Sequence, residues 1–155
     1  MNEEGRLFFA YAVLMNRGHM SQICPDAEPL GRALLRGYRL IFPRSSGVWM
    51  GGIPSLQEQE GEQVWGVLWR VCPDHKPELD RYQGFLGASG DNVFTPLLVV
   101  VEDADGRPRE AFAYQSSRSG RNSFQPSPEF VDTVVRAARE FQLPDDYIAA
   151  LERLA

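Results

Sequence analysis

Gln83, in Leu79-Asp80-Arg81-Tyr82-Gln83-Gly84, and Tyr11, in Phe9-Ala10-Tyr11-Ala12-Val13-Leu14-Met15-Asn16, are the side chains best suited to chemistry on a small molecule. The Gln83 amide can donate and accept hydrogen bonds but has no protonation equilibrium near neutral pH, so it can orient a carbonyl and cannot serve as a base. It could equally be the inert relic of a lost site. The Tyr11 hydroxyl can bond a ligand or act as a weak acid, and it suits a core tyrosine with a satisfied hydrogen bond equally well. Tyr82 and Tyr114 could reach a cavity or simply pack. Ala12, Val13, Leu14 and Met15 offer a ligand only apolar surface. Gly51-Gly52-Ile53-Pro54 pairs two glycines of the kind found at a barrel corner or beside a ligand, which makes Gly52 a further candidate contact.

The nearest carboxylates in sequence that could supply a base are Glu78 and Asp91, and Asp80 looks catalytic in isolation. Trp49, Trp65 and Trp69 read most simply as core or sheet-face aromatics, though one could line a pocket for a planar ligand. Arg118 and Arg121, in a polar stretch, could clamp an anion or belong to a solvated loop. Two histidines (His19, His75) and two cysteines (Cys24, Cys72) have no metal-ligand spacing, so neither a metal nor a cofactor is expected.

Bulk properties narrow the partners. With 155 residues and 43% hydrophobic content the chain can bury a proper core, and residues 1–155 are expected to form a single domain. A net charge of -5, with basic residues scattered, gives no footprint for a phosphate backbone, so nucleic acid is excluded as a partner. No apolar run reaches the roughly 20 residues that span a bilayer, and the acidic start (Glu3, Glu4) does not resemble a signal peptide. A cytoplasmic protein with free thiols and a small-molecule substrate is expected; the oligomeric state is open.

The elements that must position these residues are mostly strands. Arg6 to Leu14 predicts a buried strand leading into a loop, with Ala12 to Met15 at its end. Leu34 to Phe42 predicts a second strand, stopped by Pro43. Val48 to Leu56 and Gln63 to Val71 predict a hairpin around the polar turn Gln57 to Gly61. A short helix is expected over Pro73 to Tyr82, and a second hairpin joins Val93 to Val101 with Glu110 to Gln115 through an Asp-Gly turn, giving about six strands. Ser127-Pro128-Glu129 predicts a helix start, with Phe130, Val131, Val134, Val135, Ala138 and Phe141 as its apolar stripe, and Pro144 precedes a last helix.

In this order the motifs resemble the γ-glutamylcyclotransferase family. Phe9-Ala10-Tyr11 followed by Met15 resembles the family's opening Phe-Ala-Tyr-Gly-Ser-Asn-Met. Gly37-Tyr38-Arg39-Leu40, Gly51-Gly52-Ile53, Val64-Trp65-Gly66-Val67, Leu79-Asp80, Pro126-Ser127-Pro128 and Leu143-Pro144 with Tyr147 recur in family order, across nearly the whole chain. The resemblance implies an α+β fold, a small mixed β-barrel or sheet with packed helices. It also implies a cofactor-independent reaction in which a γ-glutamyl amine attacks its own carbonyl and releases 5-oxoproline.

The family's Leu-Asp pair, here Leu79-Asp80, implies a structural Asp80 that caps local backbone N–H groups. Two elements carry that reaction in the family, and both are altered here. The Gly-Ser-Asn loop is Ala12-Val13-Leu14, and the Glu that moves the proton is Gln83. Positioned acid/base catalysis contributes about 10² to 10⁴-fold. Burying an unpaired ammonium or carboxylate against Val13 and Leu14 costs several kcal/mol. The leading expectation is therefore an enzyme that cyclises or rearranges a largely apolar metabolite, as in specialised biosynthesis, with Gln83 and Tyr11 orienting its oxygens. A pseudoenzyme that only binds, and a γ-glutamylcyclotransferase with a substitute carboxylate, are the alternatives.

Overall fold

The computed structural model describes residues 6–87, 92–117 and 123–155. Among them five strands, β1 (Arg6–Ala10), β2 (Glu28–Ser46), β3 (Gly51–Val71), β4 (Phe94–Glu102) and β5 (Pro108–Ser116), close into a barrel in the order β1-β3-β2-β4-β5. Four helices accompany it: α1 (Arg17–Ile23), α2 (Lys76–Gln83), α3 (Pro128–Glu140) and α4 (Asp145–Glu152). The expected α+β barrel with packed helices is the fold observed. The sheet is mixed, because β1 runs antiparallel to β3 and parallel to β5, where Phe8 faces Phe112. On the other side Leu34 of β2 meets Glu102 of β4 and closes the ring.

Strict alternation divides the apolar residues of each strand between two cores. Phe9 and Tyr11 join Leu35, Leu68, Val101 and Ala113 in one buried cluster. Phe8 and Ala10 join Val67, Trp69, Phe112 and Tyr114 in the other, which also takes the buried faces of α3 and α4. The first cluster fills the barrel; the second is the barrel–helix interface. Ser127 starts α3 as its sequence predicts, its hydroxyl accepting the Phe130 N–H at 3.1 Å.

Several boundaries differ from those expected, each for a local reason. β1 ends at Ala10; Val13–Met15 then forms a 3-10 turn and Arg17–Ile23 a helix, where a loop was expected. Asn16 starts that helix by accepting the His19 N–H at 3.0 Å, a cap whose signal the short apolar run masks. β2 continues through Pro43, because the register shift between Ile41 and Arg44 leaves proline no ladder bond to make. The two strands predicted on either side of Gln57 to Gly61 are one, β3, whose hairpin partner is β2. Gly61, at φ +87°, absorbs the irregularity without reversing the chain. That merger is why five strands replace the expected six.

Gly66 is the tightest point of closure relevant to the site. A Cβ there would lie 2.3 Å from the Ala10 carbonyl oxygen and 2.8 Å from the Phe9 ring. Backbone cannot yield cheaply, so Gly66→Ala is expected to destabilise the fold by about 3 kcal/mol in urea titrations, as overpacking does at its upper range. A change within about 0.5 kcal/mol would mean that β1 is free to shift.

Candidate functional site

A cavity of about 340 Å³ opens where β1 runs into the 3-10 turn, beside the β2–β3 turn, the end of α2 and the lead into β4. Tyr11, Ala12, Val13 and Leu14 line it, as do Tyr82, Gln83 and Tyr114. Met15 and Gly52, expected beside them, lie elsewhere. Met15 is fully buried in the barrel–helix core, since the 3-10 turn rotates it away from its neighbours. Gly52 meets protein instead of ligand: its N–H bonds the Gln125 carbonyl at 2.8 Å, and a Cβ would lie 2.1 Å from the Phe124 oxygen. Its paired glycines allow a close backbone approach, and the approaching group is the segment before α3.

α2 places Gln83 through its termination. Gly84, at φ +76°, ends the helix with Gly84 N–H bonded to the Arg81 carbonyl at 3.0 Å and Phe85 N–H to the Asp80 carbonyl at 2.9 Å. This pair of bonds is the Schellman arrangement, which needs a left-handed residue directly after the last helical one. Gln83 is that last residue. It is half-buried, and among the described residues its side-chain amide has no hydrogen-bond partner.

A polar network fastens the same helix to the barrel. The Tyr114 hydroxyl donates to Asp80 Oδ1, while Lys76 Nζ lies 2.9 and 3.1 Å from the two Asp80 oxygens and 5.1 Å over the Phe112 ring. Asp80 therefore bridges helix and barrel with its side chain, in place of the expected capping of backbone N–H groups. Sequence reading missed this link, because Lys76 four residues before Asp80 has the spacing of any i,i+4 pair and the Tyr114 partner is set by the tertiary fold.

Two of the three cavity tyrosines, Tyr11 and Tyr114, have committed protons. Tyr11 donates to the Tyr114 carbonyl at 2.6 Å, and burial holds its phenol well above the ordinary range. Burial, then the Asp80 hydrogen bond and charge, raise the Tyr114 phenol likewise. A proton transfer from Tyr11 to a ligand would require giving up a buried hydrogen bond.

The substitute carboxylates fare no better among the described residues. Asp80 is taken by Lys76 and Tyr114; Glu78 pairs with Arg81 at 2.5 Å on the exposed face of α2. Asp91, Arg118 and Arg121 lie outside the described residues. No group of three His, Cys, Asp or Glu is arranged to hold a metal among the described residues. Most of the remaining wall is aromatic and aliphatic, with Phe8, Trp49, Phe94 and Phe130 contributing, and Ser46 and Arg81 add polar side chains to it. Trp49 reaches it from the β2–β3 turn, held 5.6 Å edge-on to Phe130 and 5.8 Å from the His19 ring.

Residues 63–151, more than half of the chain, match the model of the AIG2-like family. Bovine γ-glutamylcyclotransferase is 31% identical, over 93% of this chain and 76% of its own length. The human γ-glutamylcyclotransferase is 29% identical, over 99% of this chain and 80% of its own. A solved γ-glutamyl cyclotransferase structure superposes with a TM-score of 0.86 at 28% identity, covering 95% of this chain and 86% of that one. The chain belongs to the AIG2-like, γ-glutamylcyclotransferase family. Within that family fold, this member sets an unpartnered amide and the aliphatic run Ala12 to Leu14 around the cavity.

The buried acids give the fold an alkaline limit. Burial, with the charges of Glu78 and Cys72, pushes the Cys24 thiol up to about 11, and the phenols of Tyr11 and Tyr114 are raised too. In the unfolded chain these groups release protons at lower pH than in the native state. Stability is therefore whole below about pH 9 and declines above it as the unfolded groups ionise. Urea midpoints are expected to stay level to about pH 8.5 and then fall, with a shallower fall in Tyr114→Phe. That variant should also lose about 1 to 2 kcal/mol at neutral pH, since it deprives Asp80 of a hydrogen bond.

Proposed function

We propose that this chain is a cyclotransferase-fold enzyme, acting in the cytosol without a cofactor, that promotes an intramolecular cyclisation or rearrangement of a largely apolar small metabolite. The observation that carries the reading is Gln83: a half-buried amide on the cavity wall, free of protein partners among the described residues, where the family resemblance leads one to expect a carboxylate. Such an amide can hold a substrate carbonyl with its NH₂ and a substrate N–H with its oxygen. The aromatic and aliphatic wall would fold a flexible chain on itself and exclude water. Holding the reacting atoms in an attack-ready geometry can supply about 7 to 11 kcal/mol of a cyclisation barrier without a strong base. A setting in specialised biosynthesis suits a substrate of this kind.

A second reading draws support from the committed tyrosine protons: a protein that binds the same class of molecule and does not turn it over. The curated relatives are named γ-glutamylcyclotransferases, and their reaction on γ-glutamyl amides is the activity that this chain is expected to lack. Incubation of γ-glutamyl amides at high protein concentration, followed by mass spectrometry, should yield no 5-oxoproline. Ala12→Gly, Val13→Ser and Leu14→Asn combined with Gln83→Glu should raise that release by at least ~10²-fold. Release by the unaltered protein at a rate typical of enzymes would overturn the proposal. Thermal shifts with a panel of apolar amino-amides, read beside product formation, separate the enzyme (stabilisation with a lactam product) from the binder (stabilisation alone).

A further inference from the structure

Three exposed residues of the cavity lining carry apolar or aromatic surface, with Ser46 and Arg81 as the polar residues beside them. Val48 of the β2–β3 turn, Tyr82 of α2 and Val93 at the lead into β4 all line the cavity, yet they are 87%, 45% and 41% exposed. Scattered exposed apolar residues are ordinary; three from separate elements around one opening are not scattered. Arg81, the charged residue of the same lining, is paired with Glu78. The turn that carries Val48 is also fixed in place. Its next residue, Trp49, is wedged against His19 and Phe130, and Met50 adopts φ +58°, an uncommon conformation for a residue other than glycine.

We infer that Val48, Tyr82 and Val93 form an outer subsite for an apolar tail of the cavity's own ligand, which is therefore an amide-bearing molecule with an alkyl, acyl or aryl substituent long enough to leave the cavity. This rests on the reading of the cavity as a site for an apolar small molecule. At about 340 Å³ the cavity lies near the lower bound of the ~300 to 1,000 Å³ typical of ligand sites, so a longer ligand must emerge at the mouth. There the tail replaces water on the three side chains. A polar or charged tail would gain nothing from them, and the pairing of Arg81 with Glu78 leaves the rim little net charge to offer it.

The probe is a series of straight-chain primary amides, butanamide to decanamide, with affinity followed by calorimetry and by Trp49 fluorescence. Affinity is expected to rise roughly 4-fold per added methylene, the value for burying each CH₂ group, and to continue rising through the longest members. In Val48→Asp, and independently in Tyr82→Ser, the rise should stop at the chain length that fills the cavity. Both sites are exposed enough that unfolding midpoints without ligand should barely move, which separates a lost subsite from a lost fold. If affinity levels off at the same chain length in the unaltered protein and in both variants, the outer subsite is absent while the apolar cavity stands. If amides of no length bind, the reading of the cavity fails and the subsite with it. If the unaltered protein self-associates at micromolar concentration and Val48→Asp abolishes this, the mouth is an interface between copies and the inference is overturned.

Discussion

The hydrogen bond from the Tyr114 hydroxyl to Asp80 is the constraint on which the site depends, because it joins the barrel wall to the helix that carries Gln83. Lys76 neutralises the carboxylate and lies over the Phe112 ring, so the charge is matched where water is scarce. A partly buried carboxylate held by two partners tolerates little displacement, since losing either leaves an expensive unpaired charge. Three residues beyond Asp80 the helix ends at Gln83, capped by Gly84, and the position of Gln83 follows from both restraints.

The same economy governs the cavity. Tyr11 bonds the backbone of Tyr114, so two of the three cavity tyrosines are parts of one structural unit. What remains for a ligand is the Gln83 amide, the Tyr82 and Ser46 hydroxyls, and a set of aromatic and aliphatic faces. Binding in such a place discriminates chiefly by shape and by the absence of unpaired polar groups. The barrel, the helices and their order are those of the γ-glutamylcyclotransferases, while Gln83 and the aliphatic run Ala12 to Leu14 stand on the cavity wall.

Much of the fold could be read along the chain. The second hairpin turns where Asp103 accepts the N–H groups of Asp105 and Arg107, α3 starts at Ser127, and the short helix before Gly84 lies where expected. The first hairpin was misread, since Gln57 to Gly61 has the composition of a turn but sits within a strand paired on one side to β2. A polar run in an exposed ladder and a polar turn look alike until a partner strand is known. The same misreading hid the place of Val48, and left open which tryptophan lines the cavity, since the positions of Val48 and Trp49 at a turn depend on where the hairpin reverses.

Residue types alone determined which groups could not act: Gln83 has no proton to exchange near neutral pH, and Ala12 to Leu14 have no polar atoms in their side chains, whatever the fold around them. They also determined the family, because motif order survives where single motifs are weak. Only the tertiary structure decided which candidates meet at one cavity. It buried Met15, set Gly52 against Phe124, and turned Asp80 from a local cap into a tie to Tyr114, 34 positions away. Intrinsic chemistry travels with the side chain; hydrogen-bond partners and burial belong to the packed chain, and these fix what each group has left to offer.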